Sequence, residues 1–156
     1  MLILTVGTGT RPDVDVVKPL LKTIKDSAPK FIGFIVTRES NKFAEEIVRQ
    51  LDLSSEQFDI LSLANSENLE SIYSRISEWM RVLATRGYSP QEMTVDFTSG
   101  TKAMTSGAVL AGVAWGCAGL KYISGKRKNG VVQNGAETFV LSVGDSDLMK
   151  KGLIRR

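Results

Sequence analysis

The chain of 156 residues has no histidine, one cysteine, and aromatic residues amounting to only 7% of the total. Each shortage removes a class of chemistry. Without histidine there is no imidazole base, so the catalytic triads that depend on one are excluded. Zinc sites built on histidine and cysteine clusters go with them. Cys117 has no partner for a disulfide within the chain, which points to a reducing, cytoplasmic setting. No N-terminal targeting segment is visible. The net charge is +3, yet no Lys/Arg run is long enough to form a duplex-DNA surface. The apolar run from Ala103 to Gly119 is too short for a membrane span, and its glycines suit close packing in a core. The expectation is a soluble protein with no metal, no cofactor and no membrane partner.

What is present alternates regularly. Leu2 to Val6, Phe31 to Val36 and Phe58 to Leu63 read as buried strands, as do Val95 to Phe97 and Leu120 to Ser124. Between them lie helical faces. Val17, Leu20, Leu21 and Ile24 mark the first, with Pro19 in its opening turn. Phe43, Ile47, Val48 and Leu51 mark the second. Ser66 is the expected cap of a long third helix, and Gly87 its left-handed stop. The fourth helix is the small-residue run after Lys102, where Gly107, Gly112 and Gly116 lie to one side. Asn134-Gly135 signals a hairpin turn, and Thr138 to Val143 an antiparallel edge strand. The order indicates an α/β fold: a doubly wound, mainly parallel sheet with a C-terminal antiparallel edge hairpin. Residues 1–144 are read as this domain and 145–156 as a basic tail or linker.

Ligands of such sheets sit at the carboxyl ends of the strands, near the point where strand order reverses. Three polar, small-residue turns occupy those ends: Gly7 to Arg11, Thr37 to Ser40 and Thr98 to Lys102. The last leads from a strand directly into a helix. A helix N-terminus carries unpaired N–H groups and the positive end of the dipole, which suits an anion such as phosphate. Lys102 opposes that dipole, and an anion held between turn and ammonium accounts for both features.

Other patterns are weaker. Gly7-Thr8-Gly9 opens like a dinucleotide fingerprint, but Pro12 stands where the third glycine belongs. An NAD-type Rossmann enzyme thus stays as a remote alternative. Ser99 to Lys102 fits S-x-x-K, although the companion elements of that acyl-transfer class are missing. Lys121, Lys126, Arg127 and Lys128 read as a solvated face.

Taken together, V-G-T-G-T after the first strand, T-R-E-S after the second and D-F-T-S-G-T-K-A-M at the fourth resemble the CARF family. These are the CRISPR-associated Rossmann-fold sensors of type III immunity, and the resemblance covers essentially the whole chain. It implies a Rossmann-like domain, a homodimer, and a cyclic oligoadenylate bound on the two-fold axis, with cyclic tetra-adenylate expected first. It places Gly7, Thr8, Gly9, Thr10 and Arg11 under the ring. Thr37, Arg38, Glu39 and Ser40 would flank adenine or ribose. Thr98, Ser99, Gly100, Thr101 and Lys102 would take the phosphates, with Met104 near a base. It further implies slow, metal-independent ring cleavage by a ribose 2′-hydroxyl, with Lys102, Thr10 and Ser99 as the candidate catalytic groups. A non-catalytic sensor domain of a longer effector is the other reading left open.

Overall fold

The first strand, β1 (Leu2–Thr5), is buried along its whole length, as its unbroken apolar run requires of a central strand. The computed structural model describes residues 1–9, 15–64, 67–124, 127–128, 131–132 and 137–142. Helix α1 (Val17–Ser27) leads to β2 (Ile32–Thr37), and α2 (Asn41–Gln50) to β3 (Phe58–Leu63). Then α3 (Leu69–Thr85) crosses back to β4 (Thr94–Asp96), and α4 (Lys102–Ala114) joins β4 to β5 (Gly119–Ser124). A small antiparallel ribbon, β6 (Arg127–Lys128) with β7 (Val131–Val132), precedes β8 (Glu137–Ser142).

The main sheet has the order β3-β2-β1-β4-β5-β8. Every pair in it is parallel except β5 with β8, the antiparallel edge. The expected α/β architecture is therefore the observed one. The turn expected at Asn134-Gly135 and the tail at 145–156 lie outside the described residues.

Alternation along the strands divides the core between two faces. Leu2, Leu4, Ile32, Phe34 and Val36 meet α1 and α2 on one side. Ile3, Ile35, Leu61, Leu63 and Val95 meet α3 and α4 on the other. The connections after β1 and β4 consequently leave for opposite faces, and a crevice opens between them at the carboxyl edge.

Caps fix where the helices stop. Asn68, not Ser66, caps α3: its side chain accepts the Ser71 amide at 2.8 Å. Ser66 itself lies outside the described residues. At the other end Gly87 takes φ +95°, its amide meeting Ala84 O while that of Tyr88 meets Leu83 O. That pair of bonds is a Schellman motif. The same motif ends α4, where Gly116 at φ +66° bonds Val113 O and Cys117 bonds Gly112 O. Gly116 is thus a stop and not part of the helix face, so the apolar run holds a helix end and a strand start. Burial pushes the Cys117 thiol up to about 12, which leaves it inert at neutral pH.

Gly107 sets how closely α4 approaches α3. A Cβ there would lie 2.5 Å from Ile72 Cγ2. Gly107→Val should destabilise the fold by about 1–3 kcal/mol through overpacking, read as a lower midpoint in urea unfolding.

Candidate functional site

β1 and β4 are parallel neighbours, with Leu4 paired to Asp96, so their following turns lie side by side. Hydrogen bonds join those turns. The Thr5 hydroxyl donates to the carbonyl of Ser99, and at 3.4 Å to that of Asp96. The Gly7 amide donates to the Ser99 hydroxyl at 3.1 Å. There is no room for a side chain between the turns: a Cβ on Gly7 would lie 2.8 Å from the backbone nitrogen of Gly100. Gly100 sits at φ +119°, a conformation that L side chains rarely adopt. Here the glycines are dictated by close approach and backbone angle.

The β4 turn is held from below as well. The Thr98 amide donates to the Asp96 carboxylate at 2.9 Å, while the Thr98 hydroxyl accepts the Ile123 amide at 2.9 Å. Phe97 stacks on Tyr122 with ring centroids 5.3 Å apart. The turn is fastened to β5 by backbone, hydroxyl and ring.

Thr101 then caps α4, its hydroxyl accepting the Met104 amide at 3.2 Å. No acidic residue lies in the first turn of α4, and Lys102 is its first residue. The Lys102 side chain is exposed and forms no ion pair among the described residues. An exposed ammonium thus stands beside the positive end of a helix, next to a glycine turn. Both contributions have one sign, and an anion is the group that satisfies them.

The turn after β2 has a different character. Ser40 Oγ accepts the Thr37 amide at 2.9 Å, and Thr37 Oγ1 accepts the Ser40 amide at 3.3 Å. Both side chains are buried, so they build the turn and do not project from it. Arg38 and Glu39 are exposed at its tip. Hydrogen bonds from its own backbone N–H and from the Thr37 hydroxyl hold the Glu39 carboxyl below the usual carboxylate range. It is ionised at neutral pH and carries no proton to give.

The structure therefore brings Gly7, Ser99 and Gly100 into one cluster, with Thr8 and Gly9 exposed beside it and Lys102 at the helix end. Thr10 and Arg11 fall outside the described residues. Met104 is not at a rim: it is fully buried in the core with α3 and the sheet. Lys121 is also corrected, being buried and bonded to Ser27 Oγ at 2.7 Å instead of forming a solvated face. Sequence reasoning missed Thr5 and Asp96, both inside apolar strands and both directed at the turn. The signal was a lone carboxylate between Val95 and Phe97, which a buried strand tolerates only with partners.

No family model and no curated protein matches the chain. Solved structures do match. Protein VC1899 from Vibrio cholerae aligns with a TM-score of 0.58 and 20% identity, over 79% of this chain and 30% of that one. Csm6 from Enterococcus italicus, bound to cyclic hexa-2′-fluoro-hexa-dAMP, gives 0.55 at 17% identity over 83% and 34%. A type III CRISPR defence DNA nuclease activated by cyclic oligoadenylate gives 0.58 at 18% identity over 92% and 20%. The chain thus spans between 20% and 34% of the length of these neighbours. At such identities the likeness establishes the fold, which is the Rossmann-like fold that resemblance to the CARF family implies.

Proposed function

We propose that this domain binds a cyclic oligoadenylate as a homodimer, with one ring shared across the two-fold axis. The observation that carries the reading is the exposed Lys102, without an ion pair among the described residues, at the N-terminus of α4 beside the interlocked Gly7–Gly100 turns. Phosphates bind the ammonium and the helix end; the narrow glycine turns let the ring backbone approach closely. Csm6, one of the neighbours in fold, was bound to a cyclic adenylate analogue, which supports the choice of ligand class.

The outer face of α4 supports the dimer. Lys102, Ser106, Leu110 and Ala114 recur at helical spacing and are exposed, and beyond Lys102 this face has no charge. Leu110 is 48% exposed, one of the four large exposed apolar side chains among the described residues. An uncharged face continuous with Lys102 fits a second copy, which would bring both ammonium groups to one ring. Leu110→Glu places like charges on that face in both copies. Light scattering should then report the mass of one chain instead of two, with ring affinity lowered in parallel.

A ring with even symmetry meets the same groups twice, so cyclic tetra- and hexa-adenylate fit the axis and the tri-adenylate does not. Tetra-adenylate is expected to rank first, since the turns after β2 and β4 are short. Calorimetry with the three rings tests the order, and a preference for tri-adenylate contradicts the symmetry argument.

The same geometry supports a reading of slow cleavage. A ribose 2′-hydroxyl attacks its neighbouring phosphorus, the P–O5′ bond breaks, and the products are a cyclic 2′,3′-phosphate and a 5′-hydroxyl. Lys102 and the helix-end amides stabilise the charge that builds on the phosphoryl oxygens. The chain has no histidine and the Glu39 carboxyl is held low, so acid–base help worth roughly a hundredfold or more is not expected. Chromatography of a long incubation separates the two outcomes. Linear products with cyclic phosphate ends mark a ring nuclease. Retained intact ring marks a sensor domain.

A further inference from the structure

Asp96 and Lys121 are the charged side chains buried among the described residues, 1% and 6% exposed. They are register partners on β4 and β5, so the buried carboxylate has an opposite charge on the next strand. Burial of such groups is costly, and each needs its hydrogen bonds made. Lys121 Nζ donates to Ser27 Oγ at 2.7 Å and to the Thr23 carbonyl at 3.4 Å, both on α1. Asp96 divides its two oxygens. Oδ1 accepts the Thr98 amide at 2.9 Å, at the start of the turn that leads to Lys102. Oδ2 accepts the Thr23 hydroxyl at 2.8 Å, from the middle of α1. One carboxylate therefore grips both structures that flank the crevice, the β4 turn and the helix that follows the β1 turn.

Resting on the ligand reading above, we propose that Asp96 is a positioning residue for the phosphate turn. Thr23 aims it, so that α1 and the turn before α4 take their places together. Asp96 itself touches no ligand; it is buried beneath the turn. Without the Thr23 hydroxyl the carboxylate loses one of its two hydrogen-bond partners and its fixed orientation. The Thr98 amide then loses alignment, and with it the approach of Ser99, Gly100 and Lys102 to a phosphate.

The variants are Thr23→Val, which keeps the shape and removes the hydroxyl, and Thr23→Ser, which keeps the hydroxyl. Calorimetry with cyclic tetra-adenylate, well below the unfolding midpoint, should show Thr23→Val roughly tenfold weaker than the parent, the size of one charge-assisted bond. Thr23→Ser should restore affinity to near that of the parent. In a Lys102→Ala background the loss should shrink, because the effect travels through that turn. In the free protein, NMR should find faster exchange of the Thr98 amide in Thr23→Val. Should Thr23→Val not fold, Thr23→Ala, which also removes the hydroxyl, carries the same comparison. Unchanged affinity with an unmoved Thr98 amide would overturn the proposal, and so would a lower melting temperature with binding intact. If the parent binds no ring, the ligand reading fails by itself, and the amide measurement still decides whether Thr23 orders the turn.

Discussion

Lys102→Ala should weaken cyclic tetra-adenylate binding by at least tenfold and leave the fold unchanged. In a shared site the substitution removes two ammonium–phosphate contacts, each worth about 1.5–3 kcal/mol when well formed. The side chain is exposed in the free protein, so solvent screening discounts those figures. Even at half strength, two contacts exceed the 1.4 kcal/mol that corresponds to about tenfold. Stability should move little, since an alanine at that position also relieves a cation from the positive end of α4. A variant that melts at or above the parent temperature yet has lost the ring would assign the loss to the phosphate contact. Equal affinity in parent and variant would remove Lys102 from the site.

Gly7→Ala should be as damaging by a different route. Its Cβ would lie 2.8 Å from Gly100 N and 3.0 Å from Gly100 Cα, and backbone cannot rotate aside as a side chain can. The turns must separate, breaking the bond from the Gly7 amide to Ser99 Oγ. Overpacking of this kind costs about 1–3 kcal/mol, enough to displace a loop from its place. The strands beneath are buried and paired, so the sheet should survive. The expected result is near-native circular dichroism with ring affinity down at least tenfold. Ser99→Ala, which removes only the acceptor, should fall between this variant and the parent. Parent-like binding by Gly7→Ala would mean that the two turns need not be in contact.

The fold was legible because its strands are short, apolar and separated by helical spacing. β3 (Phe58–Leu63) and the start of α1 at Val17 were read directly, and Pro19 in the first turn of that helix obeys the usual asymmetry. Where reading failed, one physical feature served two purposes. Between Lys102 and Gly119 the composition is uniformly small and apolar, so nothing in it distinguishes helix, stop and strand. Gly116 ends α4 there through its backbone angle, which composition does not reveal. Met104 and Lys121 failed for the opposite reason. The family resemblance set Met104 near a base and the basic cluster suggested a wet face for Lys121, while the inward face of α4 took the first and the sheet register beside Asp96 took the second. The turn carrying Lys102 was legible because hydroxyls, glycine and a cation are otherwise hard to explain at a strand-to-helix junction. Its support from Thr5, Asp96 and Thr23 was not, because these residues lie up to 91 positions apart and meet only once the sheet is ordered.

A site shared across a two-fold axis holds one ring between two copies of the chain. Isothermal titration of the purified protein with cyclic tetra-adenylate, paired with mass measurement of the complex, tests that directly. The predicted result is saturation at one ring per two chains, in a complex of twice the chain mass. One ring per chain, or no heat and no complex at any ring size, would contradict it.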